Sequence, residues 1–122
     1  MGALYDHDQQ VIFVCKAMSA EDIFRSVSKE VAHAEIAGMS DNYNRNDAAF
    51  KAYSASYLLC KKYQISTADY NFSRLPASFR ESDAQGVRAA LTEIRDSANQ
   101  ISQRMYRTLD QNRNPRGKEQ ER

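Results

Sequence analysis

Apolar and polar positions change rhythm along this chain, and each change marks an element. Short β-branched and aromatic runs, Ala3 to Tyr5 and Val11 to Cys15, flank the polar stretch Asp6-His7-Asp8-Gln9-Gln10, so the first segment predicts a β-hairpin. A helix then starts at Ser19, with Asp22 three residues on as an imperfect capping box and Gly38 as the expected stop. Within it Ile23, Val27, Val31 and Ala34, flanked by Ala20 and Phe24, recur at helical spacing and predict the buried face. Lys29 and His33 fall well round from its centre.

The stretch Ser40 to Asn46 has turn composition, and Asn46 or Asp47 is placed to cap a second helix that runs to about Tyr63. Most of that helix's circumference is apolar or small, which predicts the central, most buried element. Ile65 to Arg80 is irregular, limited by Pro76, with Tyr70, Phe72, Leu75 and Phe79 as anchors that pin a long loop to the core. Ser82-Asp83-Ala84-Gln85 reads as a capping box opening the longest helix, whose residues Val87, Leu91, Ile94, Ala98, Ile101 and Met105 form a narrow apolar seam. The seam is read as packing within the molecule ahead of self-association. These elements predict an α+β fold, an N-terminal β-hairpin on a three-helix layer with a long C-terminal helix. Residues 1–111 are expected to form one domain, and 112–122 a disordered basic tail.

Composition narrows the function classes. With 122 residues, 42% hydrophobic and 27% charged, the chain has ordinary globular values for one domain. No window approaches the roughly 18 apolar residues a membrane span needs, and MGALYDHDQQ lacks the pattern of a secretory signal, so a cytoplasmic protein is expected. A net charge of +1 gives no global field toward nucleic acid or an anionic membrane. Arg104, Arg107, Arg113, Arg116 and Lys118 make the C-terminal end locally basic; a solvated end is the leading reading and a nucleic-acid contact the second. Cys15 and Cys60 read as buried reduced thiols, and Asp6-His7-Asp8 as turn chemistry ahead of a metal site. There is no Gly-rich phosphate loop and no GxSxG elbow, and His7 and His33 are the only histidines, which restricts general-base schemes.

The chemistry worth weighing is Lys29-Glu30-Val31-Ala32-His33. It reads as a zinc-peptidase HExxH motif whose first histidine has become lysine. In the intact motif two histidines four residues apart share one helical face and hold Zn²⁺, while the glutamate activates the metal-bound water.

The order QVIFVC, DIFRSVSKEVAHAEIA and AAFKAYSASYLLCKKYQISTADYNF resembles the zincin-like metallopeptidase domain of ArdC-type and LtrC-like proteins of conjugative and other mobile elements. More remotely, it is similar to ImmA/IrrE-like peptidases. The resemblance covers nearly the whole chain up to the last helix, and the LtrC-like branch shares the RLPASF loop. It implies a partial zincin-like fold in which a glutamate on the second helix is the third zinc ligand. Carried over residue by residue, Lys29 stands at the first histidine, Glu30 and His33 match the catalytic glutamate and second histidine, and Tyr53 stands at the third ligand. Two of three ligands are replaced, so zinc is expected to be absent and Glu30 and His33 to be vestigial.

The resemblance therefore implies a catalytically inactive module acting in binding or structural support. An active peptidase completed by ligands outside this chain is one alternative, and a nucleic-acid accessory module is the other. In one account of the altered pocket, Lys29 pairs with a carboxylate such as Glu30 while the Tyr53 hydroxyl bonds His33 or Glu30; in the other, Lys29 is solvated and His33 is an ordinary satisfied histidine. The expected partner is another protein or the remainder of a longer parent of which this is the C-terminal fragment, or a second copy meeting it through the hairpin edge or last helix. No membrane partner is expected.

Overall fold

A computed structural model describes residues 3–14 and 19–113, with side chains as far as residue 108. The architecture is α+β. Strands β1 (Ala3–Asp6) and β2 (Val11–Val14) form an antiparallel hairpin with Ala3 opposite Val14 and Tyr5 opposite Ile12. Helices α1 (Ala20–Gly38), α2 (Arg45–Lys62), the single turn α3 (Ala77–Arg80) and α4 (Ala84–Arg113) follow. Helix α4 thus continues past the expected domain limit at residue 111, and residues 114–122, like Cys15, lie outside the described residues.

Local chemistry explains the boundaries. Ser19 caps α1 by accepting the Asp22 amide, as its spacing predicts. Two expected caps move by one to three residues. Asn44, rather than Asn46 or Asp47, caps α2, its Oδ1 accepting both the Asn46 and Asp47 amides. Asp83, rather than Ser82, accepts the Gly86 amide at 2.8 Å at the start of α4, while the Ser82 hydroxyl donates back to Ser78 O. Gly38 closes α1 without the left-handed backbone that usually recruits glycine; Met39 caps the helix with ordinary negative φ. The left-handed position falls instead on Gln64, after α2, where Ile65 N–H reaches Cys60 O and Gln64 N–H reaches Lys61 O. That is the paired closure of a Schellman motif.

The core lies where α1, α2 and α4 meet: Ala32 and Ile36, then Ala48, Ala52, Ala55 and Leu59, then Ile94, Ala98 and Ile101. Its many alanines let the helix axes approach closely. The seam of α4 serves it through the middle; Leu91 remains 51% exposed. The predicted face of α1 is corrected. Ser28, Glu30, Ala32, His33, Glu35 and Ile36 are the buried residues, while Ile23, Val27 and Val31 are half-buried and line an apolar groove with Ile101 and Met105 of α4.

The buried polar groups of α1 each have a partner. Ser28 bonds the Ser56 hydroxyl at 2.7 Å, Glu30 takes Arg45, His33 takes Tyr43, and Glu35 takes Arg104 at 2.7 Å. Hydropathy sends such residues outward; pairing brings them in. The hairpin rests on α1 through β1, with Ala3 and Tyr5 buried, and presents Leu4 and Phe13 on its outer side. Among the described residues, no helix is long and apolar enough to cross a membrane.

Candidate functional site

The site grows from the middle of α1 and the start of α2. Glu30 has no exposed surface, yet its carboxylate is fully engaged: Tyr5 N–H donates to Oε1 at 2.7 Å, and the Arg45 guanidinium spans both oxygens at 2.8 and 3.0 Å. Burial pushes the carboxyl up, but the two-pronged Arg45 contact and the Tyr5 amide outweigh it and hold Glu30 below the usual carboxylate range. The same pairing raises Arg45. Arg45 is the first residue of α2, where the helix dipole disfavours a cation, so its placement there is sustained by Glu30 rather than by its own helix.

His33, one turn on from Glu30, is 2% exposed. Its Nδ1 lies 3.0 Å from the Tyr43 hydroxyl, and the two rings meet edge to face. Burial first, and then the Arg45 charge, bring the imidazole down from its ordinary 6.5 to about 4, with Glu30 pulling the other way. The ring is therefore neutral at pH 7, and Tyr43, itself raised by burial, remains a phenol. Tyr43 also packs edge-on to Tyr5 and against His7, which ties the hairpin to the α1–α2 loop.

Lys29, His33 and Tyr53 line one cleft of about 590 Å³, with Arg45, Asn46 and Phe50 along α2 and Arg74, Leu75, Pro76 and Ser78 from the loop before and into α3. The structure thus brings together the three positions that the sequence pattern singles out. Of the two accounts of their wiring, the pairing of Lys29 with Glu30 and of Tyr53 with His33 is not formed, and His33 is the ordinary satisfied histidine of the other. Arg45, not Lys29, pairs with Glu30, and Tyr43, not Tyr53, reaches His33. The Tyr53 hydroxyl instead accepts the Asn71 amide at 2.6 Å, and its ring packs on Tyr70 and Phe72, the anchors of the long loop. The signal for Arg45 was present in the chain: an arginine at the start of a helix needs a compensating anion. Tyr43, in a polar loop, carried no such mark.

The donor set does not fit a catalytic zinc. Such a site takes three protein ligands; here His33 offers one imidazole, Glu30 is occupied by three N–H donors, and the Lys29 and Arg45 cations border the space. Among the described residues there is no group of three His, Cys, Asp or Glu side chains arranged to hold a metal. Of the basic residues considered for nucleic acid, Arg104 is bound to Glu35 and Arg107 donates to Gln103 O, both away from this cleft. The Arg113 side chain, Arg116 and Lys118 lie outside the described residues. Comparison with protein-family models, with curated proteins and with solved structures gave no match to this chain.

Proposed function

We propose that this chain is a zincin-like module that has exchanged a metal for an internal ion pair and acts in binding or structural support, in a protein resembling those of conjugative and other mobile elements. The observation that carries the reading is Arg45 seated across both oxygens of Glu30, the residue at the general-base position of the motif. A guanidinium there supplies the positive charge that a buried carboxylate needs and leaves that carboxylate little capacity to activate water. The neutral His33, satisfied by Tyr43, supports the same reading.

Metal analysis of the purified protein tests it. The expected result is no stoichiometric zinc after dialysis, and zinc that survives dialysis at one per chain overturns the reading. The constructive test is the double change Lys29→His with Tyr53→Glu, which places three ligand-bearing positions around one cleft. It is expected to bind zinc far more tightly than either single change. Adding Arg45→Gln removes a repelling cation and is expected to tighten binding further. Failure of every combination to bind zinc would argue against the zincin-like register of the two helices.

A further inference from the structure

The cleft has chemistry of its own, independent of the Glu30 pair below it in sequence. Among the described residues Lys29 and Arg74 line it without an ion-pair partner, and Arg45 lines it with its charge already matched by Glu30. Asp47 is the one carboxylate on the wall. Setting Lys29 and Arg74 against Asp47 leaves an excess of one positive charge. The opposite character comes from Phe50 and Tyr53, which line the same space. Both pack against neighbouring rings: Phe50 against Phe79 at 5.1 Å between ring centroids, and Tyr53 against Phe72 at 5.2 Å and Tyr70 at 5.0 Å. Rings held this way lose little freedom when a flat group is laid on them. The volume, about 590 Å³, lies within the range of small-molecule sites.

We propose that this cleft binds a small organic carboxylate, with the charged head held by Lys29 and Arg74 and a flat apolar body laid against Phe50 and Tyr53. One negative charge balances the wall, whereas a neutral ligand leaves that excess positive charge unmet and an inorganic anion leaves the rings bare. The inference rests on the metal-free reading of the site, because a metal there would itself capture carboxylates.

The test is titration of the full chain, followed by amide NMR, with benzoate, acetate and benzyl alcohol as probes at low salt. Benzoate is expected to shift the amides of Lys29, Asn46, Arg74 and Ser78, with acetate and benzyl alcohol each roughly tenfold weaker. Lys29→Gln and Arg74→Gln are each expected to weaken benzoate roughly tenfold, as loss of a charge-assisted contact does, while the remaining amide spectrum stays that of the parent. Added salt is expected to weaken benzoate and leave benzyl alcohol unchanged. Benzyl alcohol binding as tightly as benzoate, or the absence of any shift with benzoate at about 10 mM, overturns the proposal. Repeating the titration with a chelator separates the two readings. Benzoate binding that disappears together with a released metal sinks the metal-free reading; absence of binding in protein shown to be metal-free sinks the carboxylate site alone.

Discussion

Glu30 is a carboxylate with no exposed surface that keeps its charge because three N–H groups converge on it. Removing one partner of such a pair strands the other, and the stranded charge is the costly part. Arg45→Ala is therefore expected to destabilise the protein by roughly 3 kcal/mol, read from urea unfolding. Adding Glu30→Gln is expected to recover most of the loss, since a neutral amide still accepts the Tyr5 N–H and needs no counter-charge. An Arg45→Ala variant as stable as the parent would mean that Glu30 is neutral or solvated in the folded protein. His33 gives the pH dependence. The unfolded chain takes up a proton near the ordinary 6.5, but the folded protein only near about 4. Stability contributed by the neutral ring is complete above 6.5 and falls as pH drops through that interval, because only the unfolded state gains the proton. The total loss by pH 4 is about 3 kcal/mol, at about 1.4 kcal/mol per unit of pKa difference. Unfolding free energies at pH 7.5 and 4.5 are expected to show this slope, and His33→Asn to flatten it; an unchanged slope would mean that His33 is not its source.

At the level of elements, α1 has two sides with different physics. One side, with Ser28, Glu30, His33 and Glu35, is polar by composition and buried in fact, because α2, α4, the hairpin and the loop at Tyr43 each supply a partner. The other, with Ile23, Val27 and Val31, is apolar by composition and only half-buried. The helix ends follow local rules more closely. Gly38 is helical, has no left-handed φ, and has open space where a Cβ would go. Gly38→Ala is thus expected to raise the unfolding free energy by roughly 0.5–1 kcal/mol, the difference between glycine and alanine within a helix. A loss of stability in the same denaturation experiment would show that Gly38 leaves the helical conformation in solution. Helix α4 owes its placement to Ile94, Ala98 and Ile101 in the core and to Arg104 on Glu35, so its apolar and its ionic contacts both serve to dock it.

At the scale of the molecule, α1, α2 and the loop that carries Arg74 border one open cleft, with Lys29, His33 and Tyr53 on its wall. Zinc binding by the Lys29→His, Tyr53→Glu protein tests whether that cleft is a zincin site by descent, and benzoate titration tests what it holds in its present form. The hairpin, the three long helices and the Ser19 cap were legible in the chain because they depend on periodicity and on residues within a few positions of one another; of the expected loop anchors Tyr70 and Phe79 are half-buried, whereas Phe72 and Leu75 stay exposed. The cleft was legible as far as Lys29, His33 and Tyr53, whose spacing on two helices carries the pattern. The wiring was not. Arg45 lies 15 residues from Glu30, Tyr43 lies 10 from His33, and Arg104 lies 69 from Glu35. An arginine or a glutamate has the same hydropathy whether it is solvated or buried against its opposite charge. Sequence by itself determined which segments form elements; only the tertiary structure decided which polar groups meet, because burial of a charge depends on a partner that the fold must first deliver.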